Sequence, residues 1–328
     1  MPDTAFTLQS ETAAFSVGRT HAGEAVLSNG ISGEAALTVC VPCYHDSARP
    51  LIATLTRMPD AARTTLLLFD DGSADDKMTR ELARQVMAWP GPARLLTAKQ
   101  NRGRSHARNR LVAMAETDWI LFIDADMRPD NDTFLSRYLE AIRKSEAPAL
   151  VAGGFTLWQV QPTQQTALHA AQSAASECLT AEARSRAPGR FVFTSNILVH
   201  KDVLKAVPFD DGFSGWGWED VDWGLRVSER FDIKHIDNTT THLGLDTTND
   251  LLKKFGSSGA NFARLVERHP EAAKSMRLFR MAQRVKRLPL GGFWKATSKL
   301  MARTTWMPMK ARLMALKFYR AFCYSEHL

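Results

Sequence analysis

Four cysteines in 328 residues are too few for a disulfide-stapled secreted scaffold. Cys40 and Cys43 form a C-x-x-C, but no second such pair and no histidine pair follows at metal-ligand spacing. Cys40 also lies inside an apolar run, so both are expected as reduced, buried thiols in a reducing compartment. No window reaches the roughly 18 uninterrupted apolar residues of a membrane-crossing helix. The N-terminus lacks the basic stretch and apolar run of a secretion signal, so a cytoplasmic protein is expected, soluble or peripheral on the inner face of the membrane. Glycine (19) and proline (14) are too sparse for a fibrous or disordered chain. There is no internal repeat and no low-complexity stretch.

Acidic residues are nearly missing from the end of the chain. Residues 275–328 hold 12 Lys and Arg against one acid, Glu326, so the overall charge of +7 hides a mildly acidic body and a strongly basic tail. The tail interleaves its bases with Leu, Met, Phe and Trp, as in Met276-Arg-Leu-Phe-Arg280. Such helices can lie on an anionic membrane surface, or pack on the core as a lid with their charges in water. Arg312 interrupts the apolar side of the last helix. No nucleic-acid motif accompanies the tail, so nucleic acid is not an expected partner.

With 45% hydrophobic residues the chain can build a sizeable core. Residues 1–35 read as a poorly patterned leader with one or two edge strands. From residue 36 apolar strands alternate with helices. Strands are predicted over 36–41 (ending at Pro42), 64–69, 93–97 and 119–123. Helices are predicted over 50–58, 75–89 and 105–116. This alternation predicts a parallel sheet covered on both faces, with ligands at the carboxyl ends of its strands. Further on, helices are expected over 133–144, 166–184, 219–230 and 248–269, with strands near 150–160 and 191–199.

The chemistry-bearing residues sit where those strands end. Asp70-Asp71-Gly72-Ser73 closes one, and can either accept from a nucleoside or simply turn the chain. Trp119-Ile-Leu-Phe-Ile-Asp124-Ala-Asp126 puts two carboxylates on one side of an extended segment, a pattern that suits a hard divalent cation holding a diphosphate; a solvated acidic turn is the alternative. In Asn101-Arg-Gly-Arg-Ser-His-Ala-Arg-Asn109, Ser105 can cap the next helix. Arg102, Arg104 and Arg108 with that helix start favour phosphate. Gly215-Trp-Gly-Trp-Glu219-Asp220 offers Trp216 and Trp218 as flat faces for a sugar ring, and two carboxylates, one to take a proton and one to grip an acceptor. His242, with His235 as a weaker competitor, could complete a metal shell begun by Asp126.

Together with Val41-Pro-Cys-Tyr44, these motifs resemble the family 2 glycosyltransferases and their GT-A relatives over residues 37–246. The last motif resembles the W-G-x-E-D region of galactosyl- and N-acetylgalactosaminyl-transferases. The resemblance implies an α/β GT-A fold: a Rossmann-like, mostly parallel sheet with helices on both faces, here with a basic helical extension at 271–328. It implies a nucleotide-sugar-binding half at 36–150 and an acceptor-binding, catalytic half at 151–270. Pro42, Tyr44 and Asp71 would frame the nucleoside, Arg104 would lie near the donor nucleotide, and Asp124 would meet ribose or metal. Asp126 and His242 would hold Mn²⁺ or Mg²⁺, Asp220 would be the general base and Glu219 would hold the acceptor. The partners implied are a nucleotide-sugar donor, with UDP-linked donors favoured, and a glycan or lipid-linked acceptor; transfer is expected to invert configuration. Cys43 and Trp218 depart from the family pattern, the latter standing where Gly is common. A non-catalytic binding module is the competing reading. Nucleotidyl transfer would want a Gly-rich loop where Pro42-Cys-Tyr-His-Asp46 stands.

Overall fold

The computed structural model describes residues 16–328; the rest of the 1–35 leader lies outside the described residues. Strands β1 (Ser16–Arg19) and β2 (Ala25–Ser28) pair antiparallel at one edge of the main sheet. β3 (Leu37–Cys43), β4 (Thr64–Asp70), β5 (Ala93–Thr97) and β6 (Trp119–Ile123) form its parallel centre in the order β5-β4-β3-β6. Helices α1 (Arg49–Leu55), α2 (Asp76–Ala88) and α3 (Arg104–Met114) make the crossovers. β2 joins β5 antiparallel and closes that side.

The near-continuous apolar strands follow from burial on both faces. Leu37, Val39 and Val41 of β3, with Leu66 and Leu68 of β4, enter one core with Leu51 and Ile52 of α1 and Leu82 and Val86 of α2. Cys40, Leu67 and Phe69 alternate to the other, with Leu111 of α3. Cys40 and Cys43 therefore point to opposite faces, buried and unpaired. Burial pushes both thiols up. Pro42 does not end the strand as expected. β6 pairs with β3 only over Thr38–Cys40, so on that side no ladder remains for the missing N–H to break.

After β7 (Met127–Pro129) and α4 (Phe134–Arg143), the chain forms β8 (Leu150–Ala152) and β9 (Phe155–Thr156). Gly153-Gly154 is the passage between two sheets: β8 belongs to the main sheet and β9 to a small one. The predicted helix over 166–184 is two helices, α5 (Ala167–Ser176) and α6 (Ala181–Ser185), because the Thr180 hydroxyl caps a new start by accepting from the Ala183 N–H. β10 (Asn196–His200) pairs antiparallel with β6 and β8. Then come α7 (Lys201–Ala206), α8 (Glu219–Ser228), β11 (Ile233–His235) and β12 (Thr240–His242). β11 adds parallel to β8, and β12 lies between β7 and β9 in the small sheet.

The predicted helix over 248–269 also divides, into α9 (Thr248–Ser257) and α10 (Gly259–Arg268), at buried Ser258, whose hydroxyl lies 2.5 Å from the Tyr324 hydroxyl. The tail folds as α11 (Pro270–Ser275), α12 (Arg277–Val285), α13 (Gly291–Arg303) and α14 (Met309–Ser325). Leu316, Tyr319, Cys323 and Tyr324 of α14 share a core with Leu251, Phe255 and Phe262 of α9 and α10. Arg312 is on the inside of α14, donating to the Ala302 carbonyl and the Thr248 hydroxyl. Among the described residues no helix is long and apolar enough to cross a membrane.

Candidate active site

The carboxyl ends of β3, β4 and β6 and the start of α3 enclose a cleft of about 360 Å³ lined by Pro42, Tyr44, Asp71, Arg104, Asp124 and Asp126, among others. The parallel order of β4, β3 and β6 brings these residues, widely separated in sequence, to one sheet edge. Asp46 also lines the cleft, and burial raises its pKa.

Asp71 has its carboxylate anchored to the 101–103 turn. It accepts from Asn101 Nδ2 at 3.0 Å and from the N–H groups of Arg102 and Gly103 at 3.1 and 2.9 Å. Burial outweighs these bonds and raises its pKa. Gly72 is required here: its φ is +76° and a Cβ would sit 2.3 Å from the Gln100 carbonyl carbon. Ser105 does not cap α3. Gly103 is at the N-cap position, with no side-chain cap, and Ser105 is buried in the first turn. The first N–H groups of α3 thus lack an internal partner beside the cleft, an arrangement that favours an anion.

The three arginines of this segment part company. Arg102 and Arg104 are exposed, and Arg104 Nη1 lies 3.4 Å from Glu219 Oε1. Arg108 is buried and turned inward. Its Nη2 donates to Asp124 Oδ1 at 2.9 Å, while Nη1 is 3.8 Å from Asp220 Oδ1. Among the described residues its Nε and Nη1 have no hydrogen-bond partner. One guanidinium therefore lets two carboxylates from distant segments coexist.

Asp220, at the start of α8, accepts from the Thr194 hydroxyl at 2.7 Å and the Thr194 N–H at 3.1 Å. Burial pushes its pKa up; Arg108 opposes the rise and Glu219 adds to it, leaving the value at about 6. Such a carboxylate is ionised at neutral pH yet basic enough to take a proton.

Asp126 meets His242 because β12 pairs antiparallel with β7 and sets His242 opposite Met127. Asp126 Oδ2 is 3.0 Å from His242 Nε2. Burial raises the carboxyl, but the hydrogen bond and charge of His242 outweigh it and hold it below its ordinary value. Burial lowers the imidazole, and Asp126 more than restores it, above the usual 6.5. Gly244 packs so closely that a Cβ there would lie 2.3 Å from Asp126 Oδ2. A carboxylate and an imidazole suit Mn²⁺ or Mg²⁺ when other oxygens complete the shell. Among the described residues no group of three His, Cys, Asp or Glu is placed to cage a metal, so those oxygens would have to come from a ligand or water. His235 is structural: its Nδ1 is 2.9 Å from Arg184 Nη1 and its Nε2 3.1 Å from the Pro188 carbonyl.

The 215–218 loop is held in an unusual backbone. Gly215, Gly217 and Trp218 have φ of +73°, +92° and +79°. Trp218 thus occupies a conformation natural to Gly. The cost, about 1–2 kcal/mol, is offset by packing: its ring lies 4.7 Å from Phe262 and 5.0 Å from the Arg320 guanidinium, and its Nε1 donates to the Tyr324 hydroxyl. Trp216 leans on Phe255 with Lys254 beside its ring. Asn261 Nδ2 donates to the carbonyls of Ser214 and Gly217. Trp218→Gly should relieve the backbone but lose this packing, for a net destabilisation of about 1–3 kcal/mol. Denaturant unfolding checks it, and a variant more stable than the parent would show that the packing does not pin the loop.

Sequence reasoning missed Thr194, Asn261, Arg320 and Tyr324, none of which stands in a recognisable motif. It also missed His169, a buried histidine that accepts from the Asp246 N–H, with its ring 5.9 Å from that of His242. Burial lowers its pKa.

Residues 38–206 match glycosyl transferase family 2. No curated protein matches in sequence. Among solved structures, the mannosyltransferase PcManGT from Pyrobaculum calidifontis, in complex with GDP-Man and Mn²⁺, is similar at 13% identity and TM-score 0.51, covering 88% of each chain. A mycobacterial protein is similar at 17% identity and TM-score 0.50, covering 72% of this chain and 75% of its own. The matched segment holds all of the cleft lining but Gly215, and stops before the 215–220 loop and His242. With over half of its length matched and the architecture shared, this chain belongs to glycosyl transferase family 2 and is a glycosyltransferase of GT-A fold.

Proposed function

We propose that the enzyme transfers a hexosyl or N-acetylhexosaminyl unit from a nucleotide diphosphate donor, UDP-linked, to a hydroxyl of a glycan or lipid-linked acceptor, with inversion, in polysaccharide or surface glycan synthesis. The observation that carries this reading is the Asp220 carboxyl, its pKa raised to about 6 and joined through Arg108 to Asp124 in the cleft, which suits it to accept a proton.

Residues 36–150 would grip the donor. Pro42 and Tyr44 frame the nucleoside, Asp71 fixes the turn beneath it, Arg104 lies near the nucleotide and Asp124 meets ribose or metal. Asp126 and His242 would hold Mn²⁺ or Mg²⁺, which when bound neutralises charge on the departing diphosphate. Residues 151–270 would bring the acceptor. Trp216 offers it a ring face, Trp218 holds the loop and Glu219 grips a hydroxyl. Asp220 takes that hydroxyl's proton as its oxygen bonds the anomeric carbon and the bond to the diphosphate oxygen breaks, releasing the nucleoside diphosphate. Attack opposite the leaving group inverts the carbon. The tail, 271–328, would hold the enzyme at the inner face of a membrane.

The test is transfer and hydrolysis across a panel of nucleotide sugars with Mn²⁺, with EDTA and with Asp126→Ala. Metal-dependent turnover of one donor, lost in the variant, is the expected result. Tight nucleotide binding without turnover of any donor and acceptor pair would instead make the protein a binding module. A second expectation concerns protons. With Asp126 holding the His242 pKa above its ordinary value, a cation must displace its proton, so Mn²⁺ affinity should rise with pH as the imidazole loses that proton, releasing up to about one proton. Calorimetry in buffers of different ionisation enthalpy measures this; affinity indifferent to pH would remove His242 from the ligand set.

A further inference from the structure

Large apolar side chains are exposed at eleven described positions, and eight of them fall between residues 288 and 318. Leu290, Phe293 and Leu300 lie on and before α13, and Trp306, 85% exposed, sits in the turn to α14. Met314 and Phe318 follow on α14 at a spacing of four, hence on one helix face. α13 and α14 pack against each other, so these side chains belong to one hairpin.

The same hairpin carries exposed Arg287, Arg303, Lys310 and Lys317. The single acid of the tail, Glu326, is paired with Lys295. Arg312, which in sequence breaks the apolar side of α14, is buried against α13 and α9. The outer surface is therefore apolar and basic, with no carboxylate of its own segment to neutralise it.

We propose that the α13–α14 hairpin docks the enzyme on an anionic phospholipid bilayer, with Trp306, Leu290, Phe293 and Leu300 at the headgroup–acyl boundary and the bases on lipid phosphates. Charge complementarity selects this occupant. A second copy of the chain would bring the same positive charges face to face. Nucleic acid would use the bases and the aromatic rings, but gives no role to exposed Leu290, Leu300 and Met314. The other side of α14 adds a consequence: Arg320 and Tyr324 contact Trp218. The 215–218 loop thus lies about one helix diameter, roughly 10 Å, from the docked surface. This favours a lipid-linked acceptor, a step that rests on the function proposed above; the docking itself does not.

The test is sedimentation of the full chain with phosphatidylcholine vesicles, with and without phosphatidylglycerol, at about 0.1 M salt, alongside donor hydrolysis in solution. Binding should require the anionic lipid and weaken as salt rises. Leu290→Ser/Phe293→Ser/Trp306→Ser should cut partitioning by at least about tenfold. Arg303→Ser/Lys310→Ser/Lys317→Ser should cut it by about 100-fold. Both variants should keep the parent's melting temperature and hydrolysis rate. Failure to bind anionic vesicles, or equal binding by parent and variants, overturns the proposal. So does a dimeric parent that the apolar variant turns into a monomer, since a second copy would then cover the face. Vesicle binding without turnover of any donor and acceptor pair would uphold the docking and sink the proposed sugar transfer.

Discussion

Asp220→Asn should lower glycosyl transfer by about 10²–10⁴-fold while donor binding stays near the parent's. The substitution keeps the side chain's shape, and its amide oxygen can still accept from the Thr194 hydroxyl, which now donates to Asp220 at 2.7 Å. Arg108 keeps its 2.9 Å bond to Asp124, so its charge is not stranded. What disappears is the carboxylate beside the 215–218 loop whose pKa of about 6 suits it to the proposed role of base at neutral pH. The pH profile gives the sharper reading. The base must be ionised to act, so kcat/KM in the parent should rise with pH through about 6 and then level. Below that, Asp220 already carries the proton it is meant to receive. Saturating Mn²⁺ keeps the metal equilibrium out of the profile. In Asp220→Asn the residual rate should lose this acid limb. A variant within about threefold of the parent, with the limb intact, would move the base elsewhere, and Glu219 would be next.

The parallel centre was legible because each strand is an apolar run whose end is marked by a polar turn. Trp119-Ile-Leu-Phe-Ile123 is β6 residue for residue, and Asp124 and Asp126 follow it into the cleft. What sequence could not carry was pairing at long range. Sequence favoured His242 over His235 without any view of the register of β12 on β7, which sets His242 beside Asp126 and leaves His235 on β11 with Arg184. The departure at Trp218 was visible as a residue where Gly is common. Its reason lies 106 residues away, in Tyr324. The helix breaks near Thr180 and at Ser258 were missed for related causes: a local cap competing with an Ala-rich run, and a serine held by the last helix. Arg108 is the clearest case. In sequence it is one more base in a phosphate-binding stretch; folded, it is a buried counter-charge.

That burial makes Arg108→Met the second large effect. Arg108 stands between Asp124 and Asp220, and its charge lowers the Asp220 pKa against the effects of burial and of Glu219. Without it, three carboxylates share a half-buried corner. The acid limb of kcat/KM should then move up by at least about one pH unit, since a unit charge about 4 Å away is worth about 4 kcal/mol at an effective dielectric of about 20, and less where the pair is partly exposed. At pH 7 part of the enzyme would hold a protonated base, so transfer falls, and raising the pH should restore some of it. Stability should fall too, by about 1–3 kcal/mol, short of the full penalty for breaking a buried pair because both carboxylates are partly exposed. Methionine removes the unpartnered Nε and Nη1, which trims the loss further. The sign with pH is fixed: Arg108 attracts only ionised carboxylates, so the deficit should be larger at pH 8 than at pH 5. Arg108→Lys keeps the charge and should keep the limb near 6, though one ammonium cannot span both partners. An acid limb unmoved in Arg108→Met would mean that Arg108 does not set the base, and that the 3.8 Å approach to Asp220 is only packing.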